Sequence, residues 1–552
     1  MGLPIKTNRM NSRIPSILLL LSLAALFYFP FLGGVHLFDW DEINFAEISR
    51  EMIILEDYLR VHIDFQPFFQ KPPLFFWFQV LAMKIFGIGA YAARFPNAVF
   101  GILTLFMLFK VGNKIVGRDF GWIWSLTYFG SVLPFLYFKS GIIDPVFNFF
   151  IFISLVFLFA ASQYPKKYQS LTWAGIFTGL AMLTKGPVAI IIIGLVLLIY
   201  WFFQKFKWFI PFKGLLYYLF ITLLVTSLWF GAETIKNGPA FMLEFTKYQY
   251  KLFSTPDAGH KGFLGYHFVV LLIGCFPASL FALQQLVKPF KSSHLTDIQI
   301  FARWNKILLW VVLILFSIVQ SKIVHYSSLN YFPITFLASL SIYQYWKRQS
   351  LPTWRTNLPM IAVGLLYVFV IIGLPIFLRD PSWLIAQIKD PFAQANLQAK
   401  VDWTGIEILP GLWLLSMLIY YLFSKQSFIK RITILLAGTA VFTFSTIIFF
   451  IGKIETISQR AAIEFYESLS DKEIYVAPVG YKTYAHLFYT EKKPLTNPVF
   501  YTVDSLLNGH PDRPVYIVTK TFKENALPEE FEVQERKNGF SLLLKKPSKS
   551  SQ

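Results

Sequence analysis

The chain of 552 residues is 55% hydrophobic, with 61 Phe and 15 Trp, and its mean hydropathy is +0.53. A water-soluble fold cannot bury that much apolar surface, so the bilayer must act as solvent and a polytopic membrane protein is predicted. The formal charge of +19 does not point to nucleic acid, because the basic residues sit in short clusters between apolar runs, as membrane topology requires. The one cysteine, Cys275, lies in such a run, which excludes an intrachain disulfide.

Lys6, Arg9 and Arg13 precede an apolar run at 14–34 with no small-residue cleavage site, so this run reads as a retained first span. Directly after it comes Phe38-Asp39-Trp40-Asp41-Glu42, continuing to Met52, which sets carboxylates beside aromatic rings in an otherwise oily, basic chain. Helical spacing brings Glu47, Arg50 and Glu51 together as a surface ion-pair row. Asp41 and Glu42 stand where the chain leaves the membrane, flanked by Trp40 and Phe45. Desolvation at such a place raises a carboxylate's pKa and suits it to general-base work; the alternative is that Asp41 caps the following helix. Lys71 is held rigid by Pro72 and Pro73, as suits a cation that meets a lipid phosphate or, alternatively, one that snorkels to the boundary.

Twelve further apolar runs follow, near 91–112, 119–138, 145–162, 171–183, 186–203, 214–232, 264–286, 305–320, 328–346, 358–378, 405–423 and 432–451. With 74–87 taken as an interfacial helix that carries Lys84, alternate loops gather the basic residues: Lys110, Lys114 and Arg118, then Lys166 and Lys167, and so on to Lys430 and Arg431. The positive-inside rule then favours about 13 transmembrane helices with a cytoplasmic N-terminus. The acidic segments all fall on the outer face: the loop 35–90, Asp144 and the loop 233–262. Asp144, close to the hydrocarbon, is a functional candidate by default, with pairing to Lys139 or capping of the helix at Pro145 as alternatives. Lys247, Tyr248, Tyr250, Lys251, His260, Lys261, Lys322, His325, Tyr326 and Lys185 add cations and aromatic rings to the same face.

From about residue 455 the chain changes from oily to mixed. A helix-like stretch at 456–469, strand-like runs at 473–476 and 515–518, and an alternating tail from Phe531 to Leu544 with a turn at Asn538-Gly539 predict a small α/β domain over 455–552. The chain thus divides into a membrane domain, 1–454, with its catalytic loop at 35–90, and this second domain. No P-loop, dinucleotide fingerprint, HExxH or cysteine metal cluster is present.

The motifs Asp41-Glu42, Ala46-Glu47-Ile48, Arg50-Glu51-Met52, Lys71-Pro72-Pro73-Leu74, Ala93-Arg94-Phe95-Pro96, Asp144, Thr184-Lys185-Gly186-Pro187 and Ser321-Lys322, with the segment Tyr331 to Pro333, occur in one order. In that order they resemble the GT-C membrane glycosyltransferases, in particular the bacterial branch of the dolichyl-phosphate-mannose protein mannosyltransferase superfamily, which includes the lipid A aminoarabinose transferases. The resemblance implies an inverting transfer of a sugar from a polyprenyl-phosphate donor to a lipid, glycan or protein acceptor at the periplasmic face of a bacterial inner membrane. It implies Asp41, with Glu42, as the catalytic carboxylate of the first outer loop and Asp144 as a second one. It implies Lys71, Lys251 and Tyr326 at the lipid phosphate, His260 and Lys322 as further substrate-binding groups, and Arg94 pairing with the acidic loop. The chain departs from the family at Asn44 and Phe45, where Arg and Tyr are common, and at Gln70, where an acidic residue helps hold a divalent metal. No cofactor is assigned and no metal ligand is named; a divalent metal is left open, with Gln70 a poor ligand for it. The alternative is a transporter or flippase of a lipid-linked sugar, which calls for mid-bilayer charges and pseudo-symmetric halves. A structural membrane protein leaves the acidic loop unexplained.

Overall fold

A computed structural model describes residues 17–254, 262–287, 296–495 and 497–547. Each of the thirteen apolar runs coincides with a helix or a broken pair of helices. Among the described residues, seven helices are long and apolar enough to cross a membrane: Ala90–Ile115, Asp144–Gln163, Phe212–Asn237, Asp297–Ile318, Trp354–Phe377, Ile406–Phe423 and Phe428–Ser458. The protein is a multi-pass, mostly helical membrane protein with at least these seven spans.

The remaining runs are shortened or interrupted, and the reasons are local. The run 264–286 forms two helices, Tyr266–Gly274 and Ala278–Leu286, because Pro277 has no amide to continue the ladder. The run 119–138 stops as a regular helix at Phe129, where Gly130 lies against the backbone of the last long helix. A Cβ there would come within 2.4 Å of the Leu436 carbonyl oxygen. Leu74–Phe86, with 13 residues, reaches only about 20 Å, short of the hydrocarbon thickness.

Asp144–Gln163 lies at the centre of the bundle, its apolar window 78% buried, whereas that of Phe212–Asn237 is 22% buried. The peripheral helices turn Phe220, Leu224, Leu228, Leu365 and Phe369 outward, an apolar face that lipid satisfies. The first loop is folded rather than open. It consists of the acidic helix Asp41–Ile54, a short antiparallel ladder of β1 (His62–Ile63) with β2 (Gln66–Pro67), and the helix Leu74–Phe86.

The last long helix runs past residue 454 to Ser458 before a short helix, Arg460–Glu467, begins. Beyond it, β3 (Tyr475–Val479), β4 (Val515–Lys520), β5 (Glu532–Lys537) and β6 (Phe540–Lys545) form a mixed sheet in the order β3-β4-β6-β5. β3 and β4 are parallel, and the other pairs are antiparallel. Asn538 and Gly539 both have positive φ, 46° and 83°, as a two-residue turn between twisted antiparallel strands requires. The edge strand β5 is exposed throughout and carries four charged residues, Glu532, Glu535, Arg536 and Lys537, which discourages pairing with another chain.

This sheet region rests on the acidic helix. The Tyr489 hydroxyl accepts from the Leu37 amide at 2.7 Å, Arg50 donates to the Lys492 carbonyl at 2.8 Å, and Lys492 pairs with Asp64 at 2.5 Å. His36 bonds to Glu455 and lies 3.1 Å from Glu467. The first loop is thereby pinned between the bundle and the C-terminal sheet.

Candidate active site

Asp41 is the first residue of the acidic helix. The residue before it, Trp40, holds the capping position, and no side chain caps that helix end. The Asp41 carboxylate, 27% exposed, faces His325 with Oδ2 to Nε2 at 3.3 Å. His325 sits on the short 3-10 helix Val324–Asn330 and lies 3.8 Å from Oδ2 of Asp144. Asp144 opens the central helix, followed by Pro145, whose missing amide is harmless in a first turn. Its Oδ1 accepts from Lys185 at 2.6 Å, while its Oδ2 is buried without a hydrogen bond.

Lys185 ends the helix Lys167–Lys185, and the chain turns there at Gly186, φ +95°. A side chain at Gly186 would have to displace Phe245, whose Cζ is 2.5 Å from a Cβ placed there. Four elements far apart in sequence thus deliver Asp41, Asp144, Lys185 and His325 to one end of the bundle. Tyr326 flanks them, with its ring 5.3 Å from the Lys185 ammonium. Lys71 lies 5.9 Å from the Tyr248 ring and is near enough to His325 to bear on its ionisation.

Glu42 has a different surrounding. Arg94 grips it with Nε to Oε1 at 3.0 Å and Nη2 to Oε2 at 2.7 Å, and the amides of Phe38 and Gly141 donate to the same carboxylate at 2.9 and 2.5 Å. Arg94 in turn donates to the carbonyls of Leu32, Val35 and His36. Burial acts to raise the Glu42 pKa, but the Arg94 guanidinium and the two amides outweigh it and leave it below the ordinary glutamate value. The desolvated base expected at this position is therefore not found at Glu42. Its oxygens are occupied by the fold, and Arg94 is spent on holding it and the preceding turn.

Other expectations change in the same way. Glu47, Arg50 and Glu51 form no surface row: all three are buried, with Arg50 2.7 Å from both oxygens of Glu47. Burial, with Glu47 beside it, raises the Glu51 pKa to about 10, so Glu51 is a neutral acid there. Lys139 does not reach Asp144. It donates to the carbonyls of Phe27, Tyr28 and Pro30 and closes the end of the first helix. Lys322 is buried and donates to the carbonyls of Phe316, Ser317 and Val319, where it terminates the helix Asp297–Ile318. Lys251 is exposed near the end of the helix Ala240–Ser254. His260 lies outside the described residues.

Phe45 fits this fold as apolar packing requires, whereas Asn44 is buried with its amide oxygen lacking a hydrogen bond. Phe45 is buried with its ring 5.8 and 5.7 Å from those of Phe75 and Phe76. For the divalent metal that the resemblance raises, the residues present do not fit. Gln70 offers an amide in place of a carboxylate, and among the described residues no group of three or more His, Cys, Asp or Glu side chains is placed to hold an ion.

Sequence reasoning placed Lys185 and His325 among the outer cations and rings but gave them no role. For Lys185 a signal was at hand, since a lysine that ends an apolar helix directly before Gly-Pro is fixed in place. Nothing local separates His325 from its neighbours; its importance comes from two carboxylates supplied by distant elements.

The dolichyl-phosphate-mannose-protein mannosyltransferase family matches residues 70–230. The chain is 27% identical over 278 residues to the undecaprenyl phosphate-alpha-4-amino-4-deoxy-L-arabinose arabinosyl transferase 2 of Proteus mirabilis, an alignment that covers 49% of each chain. It is 24% identical to the corresponding transferase of Pseudomonas paraeruginosa over 73% of this chain and 76% of that one. The chain thus spans about half the length of the Proteus relative and more of the Pseudomonas one. The crystal structure of ArnT from Cupriavidus metallidurans bound to undecaprenyl phosphate superposes with a TM-score of 0.74 at 17% identity, over 96% of this chain and 97% of that one. The fold is therefore ArnT-like over nearly its whole length. The ordered motifs, the matched segment 70–230 and this fold make the chain similar to the dolichyl-phosphate-mannose-protein mannosyltransferases and, at greater length, to the aminoarabinose transferases.

Proposed function

We propose that the protein transfers a monosaccharide from a polyprenyl-phosphate donor to an acceptor at the periplasmic face of a bacterial inner membrane, with inversion at the anomeric carbon. The observation that carries this reading is the meeting of Asp41, Asp144 and Lys185 at one bundle end, with Lys71 in electrostatic reach. Donor chemistry is supported by the relatives, whose names specify an undecaprenyl phosphate sugar.

In this reading Asp41 takes the proton of the acceptor hydroxyl as that oxygen attacks the anomeric carbon. The bond from that carbon to the phosphate oxygen breaks, and polyprenyl phosphate leaves with the electron pair. Lys71, with Lys251 and Tyr326, meets the phosphate as negative charge builds on it. Asp144, fixed by Lys185, is the second carboxylate on the acceptor side. Glu42 and Arg94 hold the turn that aims Asp41. The acceptor is lipid A, another envelope glycan or a protein. The same reading has thirteen spans, a cytoplasmic N-terminus and a membrane domain over 1–454, with residues 455–552 outside. The clustering of basic residues in alternate loops supports that orientation.

The test is mass spectrometry of envelope lipids and proteins from cells that carry the wild-type chain, an Asp41→Asn variant, or no chain. One glycan is expected to vanish in both the variant and the null, and its mass names sugar and acceptor. An unchanged envelope, with no build-up of lipid-linked sugar, would refute the transferase reading.

A further inference from the structure

His325 has no task in the reading above, yet it is the group that joins the two carboxylates. Its Nε2 lies 3.3 Å from Asp41 Oδ2 and 3.8 Å from Asp144 Oδ2. That second oxygen is buried without a hydrogen bond, while its partner oxygen is taken by Lys185. The imidazole is only 17% exposed, so water does not compete freely for its edge. The carboxylates come from two helices that start beside it, and Lys185, Lys71 and Tyr326 complete the ionisable surroundings.

We propose that His325 is a positioning residue that acts through Asp41: it takes over, at Nε2, the proton that Asp41 removes from the acceptor hydroxyl, while Asp144 holds the resulting imidazolium in place. The proposal rests on the transferase reading. The chemistry balances without any co-reactant. The acceptor oxygen bonds to the anomeric carbon, the leaving phosphate keeps the electron pair, and one proton passes from the hydroxyl through Asp41 to the imidazole and later to water. A carboxylate alone is a weak base and returns its proton easily; an imidazole between two carboxylates is a better reservoir. The resting state suits the task. Burial holds His325 below the ordinary imidazole value, which Asp144 and Asp41 oppose and Lys185 and Lys71 reinforce, so the ring is neutral and open to a proton near neutral pH. In the Nδ1–H tautomer the Nε2 lone pair is free to accept the proton once Asp41 carries it.

The experiment compares wild type with His325→Gln, each as the full chain in lipid nanodiscs, with polyprenyl-phosphate-linked sugar from the host membranes as donor. Transfer rates are measured from pH 5 to 9, and undecaprenyl phosphate binding is measured in parallel. The expected result is a fall in kcat of about 10²-fold in His325→Gln, the size of a lost acid–base contribution. Donor KM and undecaprenyl phosphate affinity stay near wild type. The acidic limb of the wild-type pH profile reports the imidazole with its carboxylates, and it moves to lower pH in the variant. Near-wild-type kcat in His325→Gln overturns the proposal, and so does a loss of kcat with an unmoved acidic limb or with lost undecaprenyl phosphate binding, since either of the latter marks a structural role. Absence of transfer by the wild type overturns the transferase reading itself, whereas the other failures leave it standing.

Discussion

Asp41 and Glu42 are neighbours in the chain and have opposite fates. Glu42 is enclosed by a guanidinium and two amides, and every hydrogen-bonding direction of its carboxylate is used. Asp41, one residue earlier, keeps part of its surface open and faces an imidazole edge. The helix turn explains the difference: about 100° separates successive side chains, so one points into the protein and the next to the site. A saturated buried ion pair fixes geometry, and an incompletely paired carboxylate is free to do chemistry. The contrast sets Glu42 with Arg94 apart as the clamp and is the reason Asp41 is proposed as the working group.

The largest expected effect breaks the clamp. Arg94→Met leaves Glu42 buried and uncompensated, which is expected to destabilise the fold by about 3–5 kcal/mol. Thermal unfolding in detergent checks this, and stability equal to wild type would mean the clamp is unimportant. Adding Glu42→Met to Arg94→Met should recover only part of the loss. The charge problem is gone, but the Leu32, Val35 and His36 carbonyls and the Phe38 and Gly141 amides still lack partners.

A smaller effect is expected at Lys322, the cation that the resemblance placed in the substrate site and the structure sets against three carbonyls. Lys322→Met should lower stability by about 1–3 kcal/mol, the scale of stranded buried acceptors, without raising donor KM. A raised donor KM at unchanged stability would return Lys322 to the site.

The smallest effect concerns pH. The hydrogen bond to Glu455 raises the His36 pKa; burial opposes this, and the charges of Glu455 and Glu467 add to it. A histidine whose folded pKa lies above its unfolded value of about 6.5 stabilises the fold fully below that value. That contribution is lost as pH rises through the folded value. Wild-type melting temperature should therefore fall more steeply than that of His36→Gln as pH rises from about 6 toward 9. Parallel profiles for the two proteins would contradict this.

Much of the fold could be read from the sequence because hydrophobic periodicity and breakers act locally. The apolar runs and the turn at Asn538-Gly539 need no knowledge of distant residues, whereas the run 264–286, read as one span, is broken at Pro277. The strands of the C-terminal sheet were legible for the same reason. Partners across the fold were not. Lys139 is five residues from Asp144 and looked like its counter-ion, yet it closes the first helix, and the true partner, Lys185, comes from another helix. Spacing grouped Glu47, Arg50 and Glu51 correctly but could not reveal that the C-terminal sheet covers them. His325 became visible only when two distant carboxylates were set beside it. Pairing across a fold depends on tertiary packing, which sequence spacing does not encode.

The most direct test of the central contrast is the transfer rate of purified Asp41→Asn, with its melting temperature measured on the same sample. The expected result is a melting temperature near wild type with transfer reduced about 10²–10⁴-fold, because a proton acceptor has been removed from an intact site. Transfer at the wild-type rate would contradict the account and show that the open carboxylate beside Glu42 does no chemistry.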